Sequence, residues 1–183
     1  YEVCQVVNEE KIPCWPGPMT VEEYWNGTCN PENLHISSSW CYGNAGVMRG
    51  LQKVAGYMGW KEKEQAHVET MIRFFSQNIK TYDLYSPSLC HGFSSLVAIQ
   101  MCAYSSYRNP KLLTNLERHI QKMIAGYRKN NENELNLTDI RNKSILIEGH
   151  LKDLSILTGS VGIAITLLSL KRTTKTGKLL MID

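Results

Sequence analysis

The sequence predicts an all-α protein, and three observations support this prediction. Apolar residues recur at intervals of three and four along much of the chain after residue 40, as on one face of a helix. No segment of any length shows the alternation of apolar and polar residues that is typical of a half-buried strand. A short glycine-containing phrase also recurs at the start of three predicted helices. The 183 residues, 43% hydrophobic and 20% charged, correspond to roughly one domain and exclude a wholly disordered or collagen-like chain.

Residues 1–39 are predicted to form an aromatic loop region, because the run CWPGP at 14–18 and the pair Asn30-Pro31 interrupt any regular pattern. Its large aromatic side chains are expected to supply apolar surface for packing; they include Trp15, Tyr24 and Trp25. The remainder, residues 40–183, is predicted to consist of helical hairpins. The first helix is predicted over 44–57 and the second, which is amphipathic, over 62–79.

The pattern of an apolar helix followed by an amphipathic one then repeats. A mostly apolar helix is predicted over 92–106, and Asn109-Pro110 is predicted to cap the amphipathic helix that follows. After an Asn-rich loop at 130–143, an apolar helix over 157–170 closes the series. We interpret it as a buried helix and not a membrane span, because serine, threonine and glycine are spread through it. The alternation predicts an inner and an outer layer of helices.

The three predicted inner helices begin with related phrases, which are WCYGNAGV at 40–47, CHGFSSL at 90–96 and LTGSVGI at 157–163. Each contains a glycine, two residues, a small residue and an aliphatic one. Three matches in register indicate an internal repeat of helical hairpins. Generic small residues at helix starts are the alternative explanation.

The repeat also places three metal-ligating residues in related positions. Cys41 and Cys90 each lie two residues before the key glycine of their phrase, and His91 lies directly before its glycine. Equivalent positions of stacked hairpins lie at the same end of a structure, so these side chains are expected to meet. Two thiolates and an imidazole suit zinc, and three protein ligands leave a fourth position open, as in catalytic zinc sites. From spacing alone, two buried thiols and a helix-capping histidine explain the same residues.

Charge and cysteine usage narrow the class of partner and the compartment. There are 20 Lys and Arg against 17 Asp and Glu, and this net charge of +3 forms no basic stripe of the kind that binds nucleic acid. The densest basic stretch, at 171–178, is expected to be a solvated helix end, and a contact with a membrane or a leader peptide is the alternative. Six scattered cysteines predict thiols in a reducing compartment, and therefore a cytoplasmic protein.

The ordered motifs WCYG at 40–43, CHG at 90–92 and LTGSVGI at 157–163 resemble those of the lanthionine synthetase C-like family. The likeness extends to WPG at 15–17 and LLMI at 179–182, and it points to the C-terminal half of the stand-alone cyclases of nisin- and epidermin-type lantibiotic biosynthesis. The resemblance implies an (α/α) toroid, here a partial, C-terminal one that occupies residues 1–183.

The resemblance also implies one zinc ion bound by Cys41, Cys90 and His91. In that family the metal activates a cysteine thiol of a dehydrated precursor peptide, which adds to dehydroalanine or dehydrobutyrine and closes a lanthionine or methyllanthionine ring. The enzyme is thus expected to be a peptide cyclase of antibiotic biosynthesis. Trp40 and Tyr42, which flank a ligand, are candidates for contacting the peptide or for packing the zinc loop. A dehydratase and a membrane transporter are expected partners, which would bring a cytoplasmic protein to the inner face of the membrane.

Three departures from the family pattern limit this transfer. Ser37-Ser38 replaces the Arg-Asp pair that commonly precedes the Trp-Cys motif, and Ser95 replaces a glycine. The family's acid/base His and Asp lie in motifs upstream of WCYG that do not occur here, so they are expected in a missing N-terminal half. The other histidines, His35, His67, His119 and His150, are predicted to be surface or structural residues. A non-catalytic toroid that binds a peptide or glutathione, or an inactive truncated fragment, are the alternative functions.

Overall fold

The computed structural model describes residues 5–8, 10–17, 19–29, 37–128 and 154–171, and within these ranges it is mostly helical. The described residues form six α-helices, which are α1 (Val21–Asn26), α2 (Asn44–Tyr57), α3 (Lys61–Phe75), α4 (Phe93–Tyr107), α5 (Leu116–Arg128) and α6 (Ser160–Lys171). Two-residue strands, β1 (Val6–Val7) and β2 (Pro13–Cys14), pair antiparallel. The predicted all-α class is confirmed.

The helices are arranged in two layers, as the alternation of apolar and amphipathic segments predicts. Helix α4 contacts both α2 and α6, while α3 packs against α2 and α5 packs against α4. The residues from 93 to 100 of α4 are all buried, whereas α3 and α5 each carry a charged, exposed face. Helices α2, α4 and α6 therefore form the inner layer, and α3 and α5 form the outer layer. This arrangement is the one expected of part of an α/α toroid.

The N-terminal region contains more regular structure than a loop. Its hairpin is anchored to the start of α2, because the buried Trp15 donates its backbone N–H to Asn44 Oδ1 at 2.6 Å. Helix α1 begins with a capping box in which Thr20 and Glu23 exchange side-chain and backbone hydrogen bonds. Of the aromatic side chains expected to supply apolar surface for packing, Trp15 is buried, whereas Trp25 is 77% exposed.

Helix α6 begins at Ser160 and not at 157. Two predicted limits of the outer helices also differ from the structure, for local reasons. Helix α3 ends at Phe75 and not at 79, because Asn78 accepts a hydrogen bond from the Lys80 N–H and caps a separate 3-10 helix, Ile79–Tyr82. The Asn109 side chain likewise caps a 3-10 helix, Pro110–Leu113, and the outer α-helix begins only at Leu116. The cap signals were correct, but each begins a shorter element than predicted.

Helix α6 was predicted to be buried, and this was wrong for one of its faces. Only Gly162, Ile163 and Thr166 are buried in it, whereas Leu168 is 60% exposed. Among the described residues, no helix combines the length and the apolar character that crossing a bilayer requires. The predicted loop at 130–143 and the phrase at 179–182 lie outside the described residues.

Candidate metal centre

The loops that precede α2 and α4 have the same backbone hydrogen bond. The Asn44 N–H, at the first residue of α2, donates to Ser37 O at 2.8 Å, and the Phe93 N–H, at the first residue of α4, donates to Ser86 O at 2.9 Å. Each bond spans seven residues, and the two loops are 49 residues apart. The structure thus shows the repeat that the sequence predicts.

The key glycine of each loop is required by close packing of the backbone. A Cβ on Gly43 would overlap the backbone N and O of Ser39, and a Cβ on Gly92 would overlap the carbonyl of Ser86. Because these neighbours are backbone atoms of a tight loop, they cannot move aside as a flexible side chain can. The loop therefore folds tightly against the first turn of the helix.

The loop before α6 follows the same plan and lies beside the second loop. The Cys90 N–H donates to Leu157 O at 2.8 Å, which joins the second and third loops. A Cβ on Gly162 would overlap Ile156 O, as one on Gly46 would overlap the carbonyl six residues before it. Leu157 occupies the position of the cysteines in this third loop, so the repeat supplies two thiols and not three.

The three predicted ligands meet at one end of the inner layer. One ligand atom from each of Cys41, Cys90 and His91 lies within 4.8 Å of the other two. Cys90 Sγ is 3.6 Å from His91 Nε2. Zn–S bonds of about 2.3 Å and Zn–N bonds of about 2.0–2.1 Å place tetrahedral ligands roughly 3.5–3.8 Å apart. Small side-chain rotations would bring the donors to that separation.

The environment of the site also suits a cation. His91 Nδ1 is buried and has no hydrogen-bond partner in the part of the chain that the structure describes. Cys90 is only 7% exposed, whereas Cys41 is exposed, so the cluster is closed on one side and open on the other. Two soft sulfur donors and an imidazole, with one open side, fit a zinc ion that keeps a position for an exogenous ligand.

The electrostatics favour the thiolate of Cys41. A hydrogen bond with Cys90 is the largest cause that lowers the pKa of the Cys41 thiol from 9.0 to about 6, and desolvation opposes it. Smaller lowering effects come from the hydroxyl of Ser39, the charge of His91 and the backbone N–H of Tyr42. By contrast, burial raises the pKa of Cys14 to about 11. Cys41 is therefore the more reactive of these two thiols and the better metal ligand.

The two flanking aromatic residues have different surroundings. The ring of Tyr42 stands edge-on to that of His91, with 5.5 Å between the centroids, and Tyr42 is 60% exposed. Trp40 is partly buried and packs against the hydrophobic core. Tyr42 therefore borders the site, while the contacts of Trp40 are those of a residue that holds the loop.

Of the other predicted histidines, His119 and His67 are described. His119 is fully buried, with Nδ1 2.9 Å from Gln100 Oε1, and it packs against the ring of Tyr82, as expected of a structural residue. His67 is half-buried on α3. His35 and His150 lie outside the described residues. The cysteines that the structure describes form no disulfide with one another.

Sequence reasoning missed one side chain of the centre, Ser39. Its Oγ lies 3.8 Å from Cys41 Sγ. The repeat contained a signal, because Ser88 precedes Cys90 by the same two residues as Ser39 precedes Cys41.

The fold and site together define a helical-repeat protein with a candidate thiolate–imidazole metal centre between two repeated loops. A model of the family described as lanthionine synthetase C-like protein matches residues 7–181. The chain belongs to this family, as its motifs predict. Searches of curated proteins and of solved structures find no match.

Proposed function

We propose that this chain carries the zinc centre of a cyclase that forms lanthionine and methyllanthionine rings in lantibiotic biosynthesis. The observation that supports this most directly is the convergence of Cys41, Cys90 and His91, whose ligand atoms lie within 4.8 Å of one another in a member of the lanthionine synthetase C-like family. The packing of a helical repeat does not by itself require two cysteines and a histidine to converge beside an open face.

In this proposal, Cys41, Cys90 and His91 hold one zinc ion. Bound there, zinc would supply a Lewis acid that favours the thiolate form of a peptide cysteine at neutral pH. The net reaction adds the S–H of that cysteine across the C=C bond of dehydroalanine or dehydrobutyrine. A C–S bond forms at the β-carbon, the π bond breaks, and the α-carbon gains a proton, so no oxidant or leaving group is involved.

The protein's own residues would serve this reaction mainly by positioning. The exposed side of the cluster, at Cys41 and Tyr42, gives a peptide access to the open position. The edge-on contact of Tyr42 restricts the imidazole of His91, and Trp40 anchors the same loop to the core. We propose that the precursor peptide approaches over Tyr42, and that a dehydratase and a transporter work with the protein at the cytoplasmic face of the membrane.

The proposal is tested by incubating the zinc-loaded chain with a dehydrated peptide that contains one cysteine and one dehydroalanine. Because cyclisation leaves the peptide mass unchanged, the loss of the free thiol is measured by alkylation followed by mass spectrometry. Cys90→Ala should lose zinc and activity, and Cys102→Ala, which changes a partly buried cysteine on α4, serves as the matched control.

Three outcomes would contradict the proposal in different ways. Tight peptide binding with an unchanged thiol count would indicate a non-catalytic binding protein of the same family. Zinc content that is unaltered in Cys90→Ala would contradict the metal assignment. A zinc-loaded chain that neither consumes the peptide thiol nor binds the peptide would be an inactive fragment.

A further inference from the structure

A serine hydroxyl lies against one of the two thiols of the centre. Ser39 is fully buried, and its Oγ is 3.8 Å from Cys41 Sγ, within the range of a hydrogen bond to sulfur. Cys41 itself is exposed, so little packing restrains its side chain. A buried hydroxyl beside an exposed ligand is well placed to orient it.

The direction of this hydrogen bond follows from a second serine. Ser37 Oγ–H donates to Ser39 Oγ at 3.0 Å, and the Ser39 backbone N–H donates to Ser37 Oγ at 3.3 Å. A hydroxyl has one proton to donate. Because Ser39 accepts from Ser37, its own proton is available for the sulfur of Cys41, and a thiolate can only accept it.

We propose that Ser39 is a positioning residue of the metal centre, which donates a hydrogen bond to Cys41 Sγ and holds that sulfur toward Cys90 and His91. The inference rests on the metal-binding part of the proposed function. The inference identifies Ser39 as the residue that restrains the exposed ligand Cys41, whereas packing restrains the buried ligand Cys90. Groups that hydrogen-bond to metal ligands in this way typically change metal affinity about 10–100-fold when removed.

The repeat provides a matched control in Ser88. This serine occupies the position of Ser39 in the second loop and is also fully buried, but its Oγ accepts from the His91 backbone N–H at 3.4 Å. Ser39→Ala and Ser88→Ala thus remove the same group from equivalent loop positions. A loss caused by loop distortion alone would appear in both variants.

The test measures the zinc dissociation constant of the full chain by competition with a chromophoric chelator. We expect Ser39→Ala to bind zinc about tenfold more weakly than wild type, and Ser88→Ala to stay within about twofold of it. Cobalt substitution gives a second measurement, because the thiolate-to-cobalt absorption of Ser39→Ala should weaken or shift while that of Ser88→Ala should not. Circular dichroism of the metal-free proteins checks that each variant is folded.

Three results would overturn the inference. They are unchanged zinc affinity in Ser39→Ala, an equal loss in Ser88→Ala, and a cobalt spectrum identical to that of wild type. If Ser39→Ala does not fold, Ser37→Ala removes the donor to Ser39, and unchanged affinity in that variant would refute the proposed chain of hydroxyls. Wild-type protein that binds no zinc would instead contradict the metal centre itself, which separates failure of the proposed function from failure of this inference.

Discussion

Acid is expected to destabilise the folded chain through His119, a side chain of the core. His119 is fully buried, and its Nδ1 lies 2.9 Å from Gln100 Oε1. The Gln100 amide donates both its protons to backbone carbonyls, of Leu112 and Thr114, at 2.7 Å each. Its oxygen must therefore accept from His119, which places the proton of the neutral imidazole on Nδ1. Protonation would add a donor at Nε2, which has no hydrogen-bond partner among the described residues.

The magnitude follows from the pKa of His119. Burial lowers it from the ordinary value of 6.5 to about 4. Above pH 6.5 the imidazole is neutral in both folded and unfolded chains and contributes nothing to the pH dependence. Between pH 6.5 and about 4 the imidazole is protonated in the unfolded chain but stays neutral in the folded chain. The free energy of unfolding therefore falls as the pH is lowered through this range. At 1.36 kcal/mol for each pH unit between the two pKa values, the total loss is about 3 kcal/mol. Tyr82, whose ring lies 5.0 Å away, is neutral throughout this window, because burial raises its pKa further above the ordinary value of 10.

The assay is urea unfolding of metal-free protein at a series of pH values from 7.5 to 4. His119→Asn replaces the imidazole with an amide that does not titrate, and His67→Asn removes a half-buried histidine of α3 as the control. We expect the free energy of unfolding of wild type and His67→Asn to fall by about 3 kcal/mol more than that of His119→Asn over this range. Carboxylates contribute equally to all three proteins and cancel in the difference. Parallel curves for wild type and His119→Asn would refute the reasoning.

Three other properties can be measured independently. In metal-free protein, alkylation of Cys41 by iodoacetamide should rise through pH about 6, because the thiolate is favoured there; peptide mapping that gives a midpoint near 9 would contradict this. Gly43→Ala should lower the free energy of unfolding by at least about 2 kcal/mol, since its Cβ would overlap loop backbone. Gly50→Ala, with open space around it, should instead raise that free energy by roughly 0.5–1 kcal/mol; equal effects in urea unfolding would rule out the overlap. Arg49→Met should cost about 2 kcal/mol in the same measurement, because the buried guanidinium donates to side chains of α2 and α4 that would lose their partner; an unchanged midpoint would contradict it.

The starts of the inner helices could be predicted because the glycines that mark them are required sterically. Gly43 and Gly92 lie where a Cβ would overlap loop backbone, and α2 and α4 begin at the next residue. The end of α3 could not be predicted in the same way. The apolar stripe continues to Ile79, but the Asn78 side chain caps a new 3-10 helix there. The spacing of apolar residues does not reveal where one helix ends and the next begins. The exposed face of α6 was missed because an apolar sequence shows what can be buried, not what the neighbouring chain covers.

The convergence of Cys41, Cys90 and His91 could be predicted because the repeat makes the two cysteine positions equivalent. Cys41 and Cys90 are 49 residues apart, yet each occupies the same position of the same loop. Ser39 was missed because serines in a turn usually bond to backbone groups of the same turn, as Ser37 Oγ does when it accepts from the Ser39 N–H. Only the structure shows that the Ser39 hydroxyl reaches the sulfur of Cys41.

Among the described residues three ligand side chains converge, and the repeat explains why the third loop adds no cysteine to them. Identical loops would present a cysteine each, but the third loop has Leu157 at that position, and its carbonyl accepts the Cys90 N–H. The third loop thus supports the second loop through its backbone without adding a sulfur. The third donor comes from His91, next to Cys90, where the first loop has Tyr42. The donor side chains therefore come from the first two loops, and the third loop packs against the second. The cluster of donors is closed at Cys90 and open at Cys41. If zinc binds there, Cys41, Cys90 and His91 would hold it, and the exposed side of the cluster lies beside Tyr42.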